Sequence, residues 1–121
     1  MAKVIGLGGV FFKVENADDL RAWYRRVLGF EIEPWGGAAF PALGRGAAIW
    51  SPFRADSNYF APSQATFMIN LMVDDLDGVL ERAKTEGVEP LSRDDSDPNG
   101  RFAWLLDPAG LKIELWEPKA A

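Results

Sequence analysis

The chain has neither histidine nor cysteine. Without cysteine there are no disulfides, no thiolate metal site and no Cys nucleophile. Without histidine the commonest general acid–base and the commonest metal ligand are both missing. The serines at 51, 57, 63, 92 and 96 have no imidazole to activate them, which argues against hydrolytic acyl transfer. No apolar run approaches the roughly 18 residues that a transmembrane helix needs. The opening MAKVIGLGGVFF carries one Lys and a short apolar run, but no signal-peptide core or cleavage pattern. Positive charge is also scarce: 13 Lys and Arg stand against 18 Asp and Glu, a net charge of −5. An acidic chain without a basic stripe is poorly suited to nucleic acid or to an anionic membrane, so neither is expected as a partner. The expected setting is soluble and cytoplasmic.

What is present is enough for one folded domain spanning residues 1–121. Hydrophobic residues make up 48% of the chain, an ordinary proportion for a globular core. VIGLGGVFFKV at 4–14 has the composition of a strand. Asn16 follows at a helix N-cap position, and Leu20, Trp23, Tyr24, Val27 and Leu28 then recur with helical spacing. Gly29 is placed to end that helix. FEIEPW, AAFPAL and GAAIWSPF read as short strands between glycine-rich turns.

The second half repeats the order. TFMINLMV at 66–73 reads as a strand and Asp75 as an N-cap. Leu76, Val79, Leu80 and Ala83 form the next helical stripe, with Gly87 at its end. VEPL, RFAWLL and LKIELWEP supply strands, and DPAG at 107–110 supplies a turn. Val14 corresponds to Val73, Gly29 to Gly87, and the WSP at 50–52 to the WEP at 116–118. The expected fold is α+β. Two βαβββ modules, roughly 4–57 and 64–119 with a linker at about 54–65, would form a curved mixed sheet with helices on its outer face. Neither module is large enough to be stable alone.

Strand alternation sorts the last strand into two sets. Lys112, Glu114 and Trp116 share one face, and Ile113 and Leu115 share the other. A carboxylate between apolar neighbours is costly unless something pairs with it. For Glu114 three readings stand open: an ion pair with a nearby Lys or Arg, a ligand contact, or a general base. Which face of the 101–106 strand joins Glu114 stays open as well. Two short motifs carry less. GLGG at 6–9 lacks the third glycine of a dinucleotide fingerprint and opens a strand. DSDPNG at 95–100 starts like a calcium loop but places Leu106 where the bidentate Glu belongs, so it reads as a turn.

Two βαβββ modules, a WY…LGF helix end, VDDLDGVLERAKTEGVEP and DPAGLKIELWEP together resemble the vicinal oxygen chelate superfamily. That group includes glyoxalase I, extradiol dioxygenases and bleomycin-resistance-type proteins. In its metal-dependent members, four ligands come from the first and last strands of the two modules. The resemblance carries those positions onto Gly9, Ala48, Met68 and Glu114. Glycine and alanine offer no ligand atom, a thioether is a poor ligand for such ions, and one carboxylate does not hold a catalytic metal. No metal and no other cofactor is therefore expected. The same resemblance implies a concave groove lined by Phe11, Lys13, Trp50, Met68, Asn70, Met72, Lys112 and Trp116, with Glu114 as the candidate catalytic group. Arg101 is added as a clamp for an anionic ligand. Three functions remain open. One is a metal-free protein that binds a small aromatic or amphipathic molecule. Another is a glyoxalase-like lyase or isomerase using Glu114 as acid–base. The last is an accessory module with a vestigial pocket. A homodimer is the expected assembly.

Overall fold

A computed structural model of the chain describes residues 16–34, 36–38, 40 and 56–119. Six elements run in the order α1 (Ala17–Leu28), β1 (Ile69–Met72), α2 (Leu76–Thr85), β2 (Ser92–Asp94), β3 (Gly100–Leu106) and β4 (Lys112–Pro118). The four strands form one mixed sheet in the order β1-β4-β3-β2. β1 runs parallel to β4, while the β4–β3 and β3–β2 pairs are antiparallel. The second half is thus a β–α–β–β–β unit. Of the expected first module only α1 and a few residues after it fall among the described residues.

Both helices start where their capping residues place them. The Asn16 side chain accepts from the Asp19 N–H, and the Asp75 side chain accepts from the Gly78 N–H. Each satisfies one of the N–H groups that a helix start leaves unpaired. Gly29 ends α1 with φ 69°, a left-handed conformation. That conformation favours glycine, and the Arg82 guanidinium lies over the position a Cβ would take.

Leu20, Trp23, Tyr24 and Val27 of α1 and Leu76 and Ala83 of α2 are buried together with Ala103, Leu105, Ile113 and Leu115 of the sheet. These four sheet residues alternate with the groove-side residues of β3 and β4, as a period of two requires. Burying each of the larger aliphatic side chains is worth about 1.5–3 kcal/mol. One polar group sits at the edge of this core. Asp107, 4% exposed, accepts from the Tyr24 hydroxyl at 2.8 Å and from the backbone N–H groups of Ala109 and Leu111. The first half of the chain is thereby tied to the turn between β3 and β4. Burial, then the charge and hydrogen bond of Asp107, push the Tyr24 hydroxyl far above its ordinary value.

Two expected strands do not form as drawn. VEPL is irregular, and β2 begins only at Ser92. The Val88 N–H is still committed to the Ala83 carbonyl behind α2, and Pro90 has no N–H to give a ladder. Pairing with β3 starts where the Leu91 N–H reaches the Trp104 carbonyl. Phe30–Pro34 is likewise irregular. Its regular contact among the described residues is a tight turn in which the Glu33 N–H bonds Gly37 O and the Gly36 N–H bonds Glu33 O.

Candidate functional site

The side of the sheet turned away from the helices is built by cross-strand register. Asn70 of β1 and Trp104 of β3 both stand opposite Glu114 of β4. Met72 and Phe102 both stand opposite Trp116. Leu106 stands opposite Lys112, and Asp94 of β2 stands opposite Phe102. Alternation within each strand keeps all of these on one face.

Glu114 is the hub of this face. Its Oε1 accepts from the Tyr59 hydroxyl in a short hydrogen bond and from the Trp104 indole N–H at 3.1 Å. Its Oε2 accepts from the Asn70 amide at 2.7 Å. Three neutral donors therefore compensate the carboxylate, and among the described residues no Lys or Arg pairs with it. The ion-pair reading of Glu114 gives way to a hydrogen-bonded cluster. Tyr59 reaches it from the segment between the two halves. Partial burial and the bond to Glu114 push the Tyr59 hydroxyl up to about 12, so it stays protonated and keeps donating at neutral pH.

Lys112 holds the same segment by its main chain. Its ammonium donates to the Tyr59 carbonyl at 2.6 Å. It lies 5.1 Å from the Tyr59 ring centre and 6.0 Å from that of Trp104, within cation–π range. Beside it stands a row of parallel rings. Phe102 and Trp104 have centroids 6.1 Å apart with planes at 14°, and Phe102 and Trp116 are 6.0 Å apart at 4°. The Trp116 indole N–H is committed to the Asn99 carbonyl at 3.0 Å. Phe102 and Trp104 stay partly exposed.

Of the residues expected at the site, Asn70, Met72, Lys112, Glu114 and Trp116 come together here. Met68 lies one residue before β1, on the side of Asn70 and Met72 if the alternation continues. Phe11, Lys13 and Trp50, with Gly9 and Ala48, lie outside the described residues. Arg101 is the exception. It projects from the helix side of β3, where its guanidinium meets Asp77 at 2.8 Å, Asp95 at 3.1 Å and Glu117 at 3.4 Å. The anion clamp expected of it does not belong to this face, because its alternation phase is that of Ala103 and Leu105. Its surroundings include an open hollow of about 390 Å³, lined by Asp95, Asp97, Gly100, Glu117, Pro118 and Lys119 as well. That hollow has no aromatic wall and lies away from Glu114.

Phe102 and Trp104, rather than Ala103 and Leu105, are the side of the 101–106 strand that joins Glu114, a choice the sequence left open, and Tyr59 is a site residue it did not assign. For the strand a signal existed. Partners across the DPAG turn are placed symmetrically about Ala109, which puts Trp104 opposite Glu114. For Tyr59 there was none, since it lies 55 residues from Glu114 in an irregular segment.

The metal positions of the superfamily can be tested at the two that are described. Met68 offers a thioether, and the oxygens of Glu114 already accept three hydrogen bonds. This donor set does not fit a catalytic divalent ion. Among the described residues, no three Asp or Glu side chains gather where they could hold one.

The model of the glyoxalase-like domain matches residues 9–116. The chain belongs to that family. With it comes membership of the vicinal oxygen chelate superfamily. Solved structures place this glyoxalase-like domain among similar folds. A glyoxalase family protein from Bacillus anthracis is 20% identical, with 98% of this chain and 100% of that one covered and a TM-score of 0.59. TnmS3, an antibiotic binding protein from Streptomyces sp. CB03234, is 21% identical over 88% of this chain and 89% of that one, with a TM-score of 0.56. These two likenesses are of fold. A glyoxalase/bleomycin resistance protein from Catenulispora acidiphila DSM 44928 is 40% identical, but over only 43% of this chain and 47% of that one, with a TM-score of 0.38. A search of curated proteins gave no match.

Proposed function

We propose that this glyoxalase-like domain binds a small aromatic or amphipathic molecule on the open face of its sheet. The observation that carries the reading is the row of parallel rings, Trp104, Phe102 and Trp116, set beside a hydrogen-bonded polar cluster. Ring faces bordered by a few fixed polar groups are the ordinary make-up of a small-molecule site. That TnmS3 is an antibiotic binding protein of similar fold supports the class of function. Phe11, Lys13 and Trp50 are proposed to complete the groove from the first module, whose tandem relation to the second rests on the repeated sequence order. A homodimer in the cytoplasm is part of the same proposal, and sedimentation of the purified protein would test the assembly.

Glu114 is assigned a structural part in this site. It gathers Tyr59, Trp104 and Asn70 and so sets the indole and the linker against each other. With both oxygens accepting from side chains of its own chain, it is poorly placed as the acid–base of a lyase or isomerase. The test is a titration of intrinsic tryptophan fluorescence with a library of planar aromatic compounds. Saturable quenching by some members, weakened at least about tenfold by Trp104→Ala, is the expected result. No response from any compound in the library would sink the binding reading.

A further inference from the structure

We propose that the ligand of this face is a planar aromatic compound bearing an anionic oxygen, and that Lys112 receives that oxygen. The inference rests on the small-molecule reading above and narrows it to a chemical class.

An account of the charged groups and the polar atoms around the rings leads there; the exposed Ser92, opposite Trp104, adds only a neutral hydroxyl. The Trp104 N–H, the Tyr59 hydroxyl and one Asn70 amide N–H are spent on Glu114. The Trp116 N–H is spent on the Asn99 carbonyl. Asp94, on the far side of Phe102, takes the backbone N–H and the hydroxyl of Ser96 on its Oδ1. The rings therefore present faces and edges whose polar atoms are satisfied. They can stack with a ligand but offer no donor of their own.

Lys112 differs. Its ammonium has three N–H bonds. One goes to the Tyr59 carbonyl, and among the described residues the other two have no acceptor and no carboxylate pairs with the charge. The group is half-buried against two rings, where a cation that has lost part of its water gains most from an anion. The neighbouring charges leave room for that anion. Glu114 is two residues along the strand, makes no ion pair with the ammonium among the described residues, and already has three donors sharing its charge. Asp94 is two strands away from Lys112 in the sheet order. Asn70 keeps an amide N–H and its carbonyl oxygen for a second polar point on the ligand. A cationic aromatic would meet the ammonium itself, and a neutral one would leave it unpaired.

Three probes with one ring system separate the possibilities: naphthoate, naphthylmethanol and naphthylmethylamine, titrated into the wild-type protein at low salt with tryptophan fluorescence as the readout. Naphthoate is expected to bind about tenfold more tightly than the alcohol, with the amine weakest. That preference should weaken as salt is added. Lys112→Arg should keep the preference and Lys112→Met should erase it. Trp104→Ala should weaken all three. Equal affinities, or an amine that binds best, would overturn the assignment to Lys112 and leave the groove reading standing. If none of the three binds while other planar aromatics of the library do, this inference falls and the groove reading stands; if nothing in the library binds, both fall. The wild-type comparison decides the matter even if a Lys112 variant does not fold.

Discussion

The two faces of the sheet are made from the same strands yet have opposite chemistry. Toward the helices, Ala103, Leu105, Ile113 and Leu115 are all fully buried. One residue along in each case, Phe102, Trp104, Lys112 and Glu114 point the other way and stay partly open, while Trp116 beside them is 9% exposed. The aliphatic face has one task, which is to exclude water, and shape is all it needs. The aromatic face keeps charge, hydrogen-bonding groups and ring surfaces, a costly choice for stability alone. A site can be built there because the other face already holds the fold.

The sharpest way to break this comparison is to truncate both sides. Ile113→Ala should cost about 2–5 kcal/mol in urea unfolding, since it leaves a cavity between sheet and helices. Trp104→Ala should cost distinctly less, because its ring is already part-exposed, while removing most ligand binding. Equal losses of stability would mean that the aromatic face is core as well. Next in size is Tyr24→Phe. It strands one oxygen of the buried Asp107 and should cost about 1–3 kcal/mol with ligand binding unchanged. Glu114→Gln should follow, at about 1–2 kcal/mol, because an amide cannot accept from all three donors. Its signature is local: an altered environment of Trp104 in fluorescence, with the helix-side core intact by circular dichroism.

The smallest effect is a pH dependence that again separates the two regions. Tyr59 ionises near 10 in the unfolded chain and at about 12 in the folded one, mainly through burial and then through its bond to Glu114. The folded state thus favours the protonated form. Its contribution to stability is complete below pH 10 and is lost as the pH rises from 10 toward 12. Tyr24 is raised further still, by burial and by Asp107. The native protein should therefore show almost no tyrosinate absorbance at pH 10, where the urea-unfolded chain is half ionised. Tyr59→Phe should remove the earlier of the two native transitions.

Sequence alone determined the features that depend on near neighbours. The caps at Asn16 and Asp75, the stop at Gly29, the two helical stripes and the alternation of the last strand follow from side-chain chemistry acting over a few residues. So does the Asp107–Gly110 turn, where one carboxylate answers two backbone N–H groups. Composition also set limits on the chemistry, since a chain without histidine or cysteine has few ways to bind a metal or activate a nucleophile. Tertiary structure decided what depends on register and on distant chain. It turned Arg101 toward the helices and Trp104 toward Glu114, because antiparallel pairing fixes which phase of a strand faces which layer. It moved the start of β2 past Pro90, because a ladder begins only where a partner can bond. It brought Tyr59 from an irregular segment onto Glu114 and Lys112, a contact with no local signature. Local propensity reads over a turn or two of chain, whereas the carboxylate at the centre of this site is compensated by donors 10, 44 and 55 residues away.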